Sequence, residues 1–214
     1  YQGELLGQGS DMPVRAFLDE FLTADDVLVD IHPGIGLSAL SAATAATPPA
    51  AIALVDADAA NVSRLTQLIN RRAPIVRTDV AVDAYGAMSR MRPEGDGRLI
   101  VRQGEHADAE SLADALGRVS PAGRPQVILW SSQIPDEAAR TLAFLESLDY
   151  LTVALSLIDG EPSLDAIEDG ARAQTLVTFA REALDALESR HAEEPEPQAP
   201  PAPISIAISL ASPT

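Results

Sequence analysis

Short, wholly apolar runs that recur between helix-like segments constrain this chain more than any other feature. Val27-Leu28-Val29 ends in Asp30, Ala51 to Val55 ends in Asp56, and Leu99-Ile100-Val101 and Val127 to Trp130 are two more such runs. Each is too short for a buried helix and lacks the alternation of a half-exposed strand, so each reads as a strand buried on both faces. Between them lie helical patterns. Leu37 to Thr47 is rich in Ala and Ser, Ala59 to Arg72 places Val62, Leu65, Leu68 and Ile69 on one face, and Ala109 to Val119 follows. Asp136 to Leu148 turns Ala139, Leu142, Ala143 and Leu145 inward. Strands alternating with helices at this spacing form a parallel sheet covered on both sides. Aromatics are only 4 % of the chain against 46 % apolar residues, so Ala, Val, Leu and Ile must fill the core.

The remaining segments extend this pattern. Ser10 to Thr23 has helical spacing, with Pro13 expected in the first turn. Ile75-Val76 opens a third strand, Leu151 to Ile158 is a sixth, Thr175 to Phe179 a seventh, and Glu182 to Arg190 a terminal helix. The last two strands lack a crossover and suggest an antiparallel edge. Tyr85 to Gly97, with Gly, Pro and alternating charges, reads as a loop or short hairpin. The expectation is a doubly wound α/β domain over residues 1–191 with a mostly parallel seven-stranded sheet. Glu193 to Pro203 holds five prolines and three acids in eleven residues, which marks 192–203 as an acidic Pro-rich linker. Residues 204–214 begin with the alternating Ile204 to Leu210 and are either a strand for this sheet's edge or the start of another domain. The chain opens on Tyr1, so a piece of a longer protein with additional domains is expected.

Charge and composition exclude several functions. The net charge is -17, all fifteen basic residues are Arg, and there is no Cys. Lysine chemistry, thiolate metal sites, disulfides and Cys nucleophiles are therefore absent. Such acidity repels a phosphate backbone, and the expectation is no nucleic-acid partner. No signal peptide or bilayer-length apolar run is visible, which gives a cytoplasmic location and no membrane partner as expectations. His32, His106 and His191 do not form a metal spacing with nearby acids.

The stretch VLVDIHPGIG, residues 27–36, carries the functional signal. Ligands of doubly wound sheets bind beyond the carboxyl ends of the strands. There Gly34 and Gly36 let the backbone approach a ligand, Asp30 can accept from a ligand ammonium, and Asp56 can accept both hydroxyls of a ribose. This motif resembles the first motif of class I S-adenosylmethionine-dependent methyltransferases, in particular the FkbM-type branch with its pattern VxDVGANIGxxT. LVDAD at 54–58, VRTDVAVD at 76–83, RPQVILW at 124–130 and LDYLTVAL at 148–155 resemble that branch's later segments in the same order. The resemblance implies a Rossmann-like three-layer sandwich. It places Asp30, His32, Gly34 and Gly36 on the methionine side of a cofactor site, Asp56 at the ribose and Asp79 near the adenine. The implied activity is O-methyl transfer to a small molecule or sugar, with no catalytic base identified.

The chain also departs from the family. His32 stands at the first glycine of the turn, and IVRQGE at 100–105 lacks the paired Lys and Asp of Lys-x-Asp-x-Glu-Gly. Trp130-Ser131-Ser132 replaces the terminal acid of the fifth strand. These departures support a second reading, a methyltransferase-like pseudoenzyme acting as a binding or scaffold module. Asp30 and Asp56 each have a helix cap as their alternative reading, with Asp58 a competitor for the second. His32 has a packing role as its alternative. An NAD-type site lacks its third glycine, because Ala39 stands three residues past Gly36. Neither a nucleophile elbow nor a P-loop is present.

Overall fold

A computed structural model describes residues 8–104, 109–131, 135–167 and 175–184. The chain order is α1 (Gln8–Phe21), β1 (Val27–Ile31), α2 (Leu37–Thr44), β2 (Ala51–Val55), α3 (Ala59–Arg72), β3 (Arg77–Ala81) and α4 (Ala84–Arg90). Then follow β4 (Leu99–Gln103), α5 (Ala109–Arg118), β5 (Val127–Ser131), α6 (Pro135–Ser147), β6 (Tyr150–Ile158), β7 (Glu161–Asp165) and β8 (Thr175–Ala180). The linker 192–203, the tail 204–214 and the terminal helix beyond residue 184 lie outside the described residues.

The apolar runs become strands with every residue of β1, β2 and β4 buried. The sheet order is β3-β2-β1-β4-β5-β8-β6-β7. β3, β2, β1, β4 and β5 run parallel, while β8 pairs antiparallel with both β5 and β6. The sheet is thus mixed and has eight strands rather than seven mostly parallel ones. The additional strand, β7, pairs antiparallel with β6 across Asp159-Gly160, where φ is 55° and 91°. Positive φ at both central residues is what a two-residue hairpin turn with the twist of its strands requires.

Side-chain alternation divides the core. Val27, Val29 and Ile31 face one helical layer, with Ala87 and Met88 of α4, Leu112 and Leu116 of α5 and Leu145 of α6. Leu28, Ile52 and Leu54 face the other, with Phe17 and Leu18 of α1, Ala39 and Ala42 of α2 and Leu65 and Ile69 of α3. The few aromatics are divided between the two layers: Phe17 stacks on Phe21 at 4.3 Å between centroids on the α1 side, and Trp130 is buried on the other, its indole donating to Thr178 Oγ1 at 2.9 Å.

Three local expectations change. The third strand begins at Arg77, with Ile75 and Val76 in the turn before it. Residues 84–90 are helical, because Asp83 caps the turn by accepting from the Gly86 amide at 2.6 Å and Ala87 and Met88 are apolar enough to bury. Gly86 disguised this. Pro13 lies inside α1 rather than in its first turn, since the helix begins five residues earlier at Gln8.

Candidate functional site

The turn after β1 shows how the sequence shapes the strand tips. His32 has φ 51°, so an imidazole-bearing residue adopts the left-handed conformation that a glycine takes more readily. Its amide donates to the Val55 carbonyl at 2.7 Å, tying the turn to β2. Gly36, at φ 83°, closes the turn by donating to the Pro33 carbonyl at 2.9 Å and leads into α2.

A cavity of about 300 Å³ opens beside this turn. Its apolar floor is Ile31, Val55, Ala84 and Ala115, and its polar rim includes His32, Asp56, Asp83 and Arg118. The floor residues belong to the core on the α4–α5 side, so the cavity lies on that face of the sheet. Asp56 has a side chain 14 % exposed. Its Oδ1 accepts from the Asp58 amide at 3.0 Å and its Oδ2 from Asn61 Nδ2 at 3.1 Å. Asn61 also donates to the Gly34 carbonyl at 2.8 Å, so one amide links the glycine turn to the acid of β2. Asp58, not Asp56, caps α3, accepting from the Ala60 and Asn61 amides. Arg118 places its guanidinium 4.2 Å from the Tyr85 ring centroid, forming one wall.

Of the residues read from sequence, His32 and Asp56 line the cavity together, with His32 Nδ1 3.8 Å from Asp56 Oδ1. That distance is an ion-pair contact for a protonated imidazole and too long for a hydrogen bond. Gly34 and Gly36 are not among the lining residues; they shape the turn behind it. Asp79 is also elsewhere, on the exposed edge strand 3.7 Å from Arg90 Nε. The acid that β3 delivers to the cavity is Asp83, four residues on. Its signal in the sequence is an Asp-Ala step closing the third strand and opening a helix.

Asp30 is fully buried and is not a lining residue. It lies on the same face of β1 as Leu28, opposite the cavity, as period-two alternation requires. Arg102 stands directly across in the β1–β4 register and its Nη1 donates to Asp30 Oδ1 at 3.0 Å. The sequence reading missed this partner because it treated 100–105 as a place where family residues were lost. His106, His191, Glu105 and Ser132 lie outside the described residues. Among the described residues, no group of three or more His, Cys, Asp or Glu is placed to hold a metal, and no helix is long and apolar enough to cross a membrane.

No protein-family model and no curated protein matches the chain. Solved structures do. An rRNA methylase from Streptococcus thermophilus is similar at 16% identity, with 78% of this chain and 93% of that one covered and a TM-score of 0.50. M. capricolum TrmK, in complex with the natural cofactor product S-adenosyl-homocysteine, is similar at 9% identity, with 78% and 68% covered and a TM-score of 0.53. The chain therefore has the three-layer, Rossmann-like methyltransferase fold. The likeness is one of fold and does not single out the FkbM-type branch. It also corrects the exclusion of nucleic acid: a chain of this fold is an rRNA methylase, and net charge summed over a whole sequence does not describe the field at one face.

Proposed function

We propose that the cavity at the tips of β1, β2 and β3 is the adenosyl site of an S-adenosylmethionine-dependent methyltransferase-like domain. The observation that carries this reading is the convergence of Asp56 and Asp83, from neighbouring parallel strands, on one cavity with an apolar floor. Asp56 would accept the ribose hydroxyls and Asp83 the exocyclic amine of adenine. The base would lie over Ala84 and Ala115, beside the Tyr85–Arg118 wall. The residues present fit the nucleoside: the volume falls at the lower end of ligand pockets, roughly 300–1,000 Å³, and both acids are already oriented by backbone amides. Fold likeness to a chain solved with S-adenosyl-homocysteine supports the same ligand.

When bound, the cofactor supplies an electrophilic methyl group on a sulfonium. The contribution of this chain's described residues is to bind and orient the nucleoside, which is the larger share of what methyl transfer asks of a protein. An oxygen acceptor on a small molecule or sugar follows from the FkbM-type motif. An RNA acceptor is supported by the rRNA methylase of the same fold. A second reading, a binding or scaffold module without turnover, is favoured by His32 at the turn and by the Arg102-neutralised Asp30.

Titration calorimetry with S-adenosyl-homocysteine tests the site. Binding is expected, and Asp56→Ala should weaken it about tenfold or more, since a hydrogen bond to a charged acceptor contributes roughly 1.5–3 kcal/mol. An unchanged affinity in a folded Asp56→Ala protein would remove the assignment. Transfer of a labelled methyl group to a hydroxylated acceptor or to RNA separates the active from the scaffold reading.

A further inference from the structure

We infer that Asn61 is a positioning residue for the ribose: it holds the Asp56 carboxylate so that both oxygens can take the vicinal hydroxyls, and it ties that acid to the glycine turn. The inference rests on the cavity being an adenosyl site, and it names what fixes the ribose end.

Asn61 is the third residue of α3. A side chain at this place commonly reaches back to the helix start, as the Glu or Gln of a capping box does. Here Asp58 caps the helix by itself, accepting from the Ala60 amide at 2.9 Å and the Asn61 amide at 3.2 Å. The Asn61 side chain is thereby released for tertiary contacts while its backbone is held. Its Nδ2 donates to the Gly34 carbonyl at 2.8 Å and to Asp56 Oδ2 at 3.1 Å, and its Oδ1 accepts from Arg64 Nη2 at 2.8 Å. A guanidinium only donates, and a carbonyl and a carboxylate only accept. All three partners therefore require the same orientation of the amide.

An unrestrained carboxylate turns easily about its last torsion, whose well is broad. The Asp58 amide holds Asp56 Oδ1 at 3.0 Å, but one point leaves the carboxylate plane free to turn about it. Asn61 supplies the second point at Oδ2. His32 Nδ1, 3.8 Å from Oδ1, is beyond hydrogen-bond reach and does not fix it. Each oxygen keeps a further lone pair, so the oriented pair can accept from hydroxyls on adjacent ring carbons. An acceptor arranged before the ligand arrives spares binding the cost of ordering it. Asn61 does not line the cavity, so its effect on a ligand passes through Asp56. The turn keeps another tie without it, from the His32 amide to the Val55 carbonyl at 2.7 Å, and α3 keeps its cap. Loss of the Asn61 side chain therefore leaves the fold in place.

Calorimetry on the full chain with S-adenosyl-homocysteine and its 2′,3′-dideoxy analogue tests this. The parent should favour the ribose ligand by about tenfold or more. In Asn61→Ala that preference should fall below about threefold, while the affinity for the dideoxy analogue stays within about twofold of the parent's. Asn61→Asp keeps the shape, removes the donors and adds a charge that the start of a helix favours. It should lose the preference as well and serves if Asn61→Ala fails to fold. A preference unchanged in a folded variant, or an equal loss for both ligands, overturns the inference and leaves the adenosyl site standing. If the parent binds S-adenosyl-homocysteine without favouring it over the analogue, the ribose role of Asp56 falls together with the inference. If the parent binds neither ligand, the adenosyl reading itself falls.

Discussion

Glycine at position 36 answers to two constraints at once. Its φ of 83° lies where an L side chain is strained, and a Cβ there would meet Leu65 Cδ2 at 2.2 Å. Gly34, at φ 57°, has open space around it and answers to the first constraint alone. Gly34→Ala should cost about 1 kcal/mol, and Gly36→Ala about 1–3 kcal/mol more from overpacking against α3. Urea denaturation of the two variants measures the difference, and equal losses would mean that Leu65 yields freely. Gly104 is under a stricter limit, because its Cβ would meet the His32 carbonyl oxygen at 2.1 Å, and backbone yields less than a side chain. Gly34 and Gly36 could be seen in the sequence as turn formers. The neighbours that make Gly36 and Gly104 intolerant of a methyl group come from α3 and from the turn after β1, far away in the chain.

At the scale of elements, the bottom of the sheet is held by a second buried ion pair. Asp26 is fully buried, and Arg98 donates to it from its backbone amide at 2.7 Å, from Nε at 3.2 Å and from Nη2 at 2.7 Å, also reaching the Phe21 carbonyl. The pair ties the end of α1 to the starts of β1 and β4. Arg98→Ala should destabilise the fold by about 3–5 kcal/mol by leaving the carboxylate buried without its counter-charge, held only by the amides of residues 98 and 23. Thermal melting compared with Asp26→Asn/Arg98→Met, in which no charge is buried, checks that cause.

The start of β6 is held differently. Tyr150 donates its phenol proton to the Pro125 carbonyl at 2.6 Å. Burial raises its pKa strongly, with the Arg124 charge lowering it in part. A raised pKa means that the fold favours the protonated phenol. This stability is fully present below the unfolded-state value of about 10 and is lost as pH rises above it. Tyr150→Phe should lower stability at pH 7 by about 1 kcal/mol and flatten the alkaline decline, as read from denaturation midpoints across pH.

Across the whole molecule, the alternation of apolar runs with helical faces was enough to reveal a two-sided α/β sheet, because burial on both faces leaves a strand no polar positions. The positions of β1, β2, β4 and β5 follow from that alone. The insertion of β8 between β5 and β6 does not, since local propensity is indifferent to which neighbour a strand finds. β7 was not read from the sequence; its local signal is Asp159-Gly160, the turn pair that joins it to β6. Of the residues singled out in the sequence, His32 of the turn and Asp56 after β2 line the cavity. Asp83 was passed over for Asp79, although both sit in one short segment, because only the strand's end decides which of them reaches the cavity.

Local chemistry therefore determined the elements, the glycine turn and the presence of acids at the strand tips, since sterics, capping and periodicity act over a few residues. The tertiary structure alone decided which acids share a cavity and which is neutralised. Register brings Arg102 opposite Asp30 across 72 positions of chain, and the alternation of side chains sends that pair to one face of the sheet and the cavity to the other.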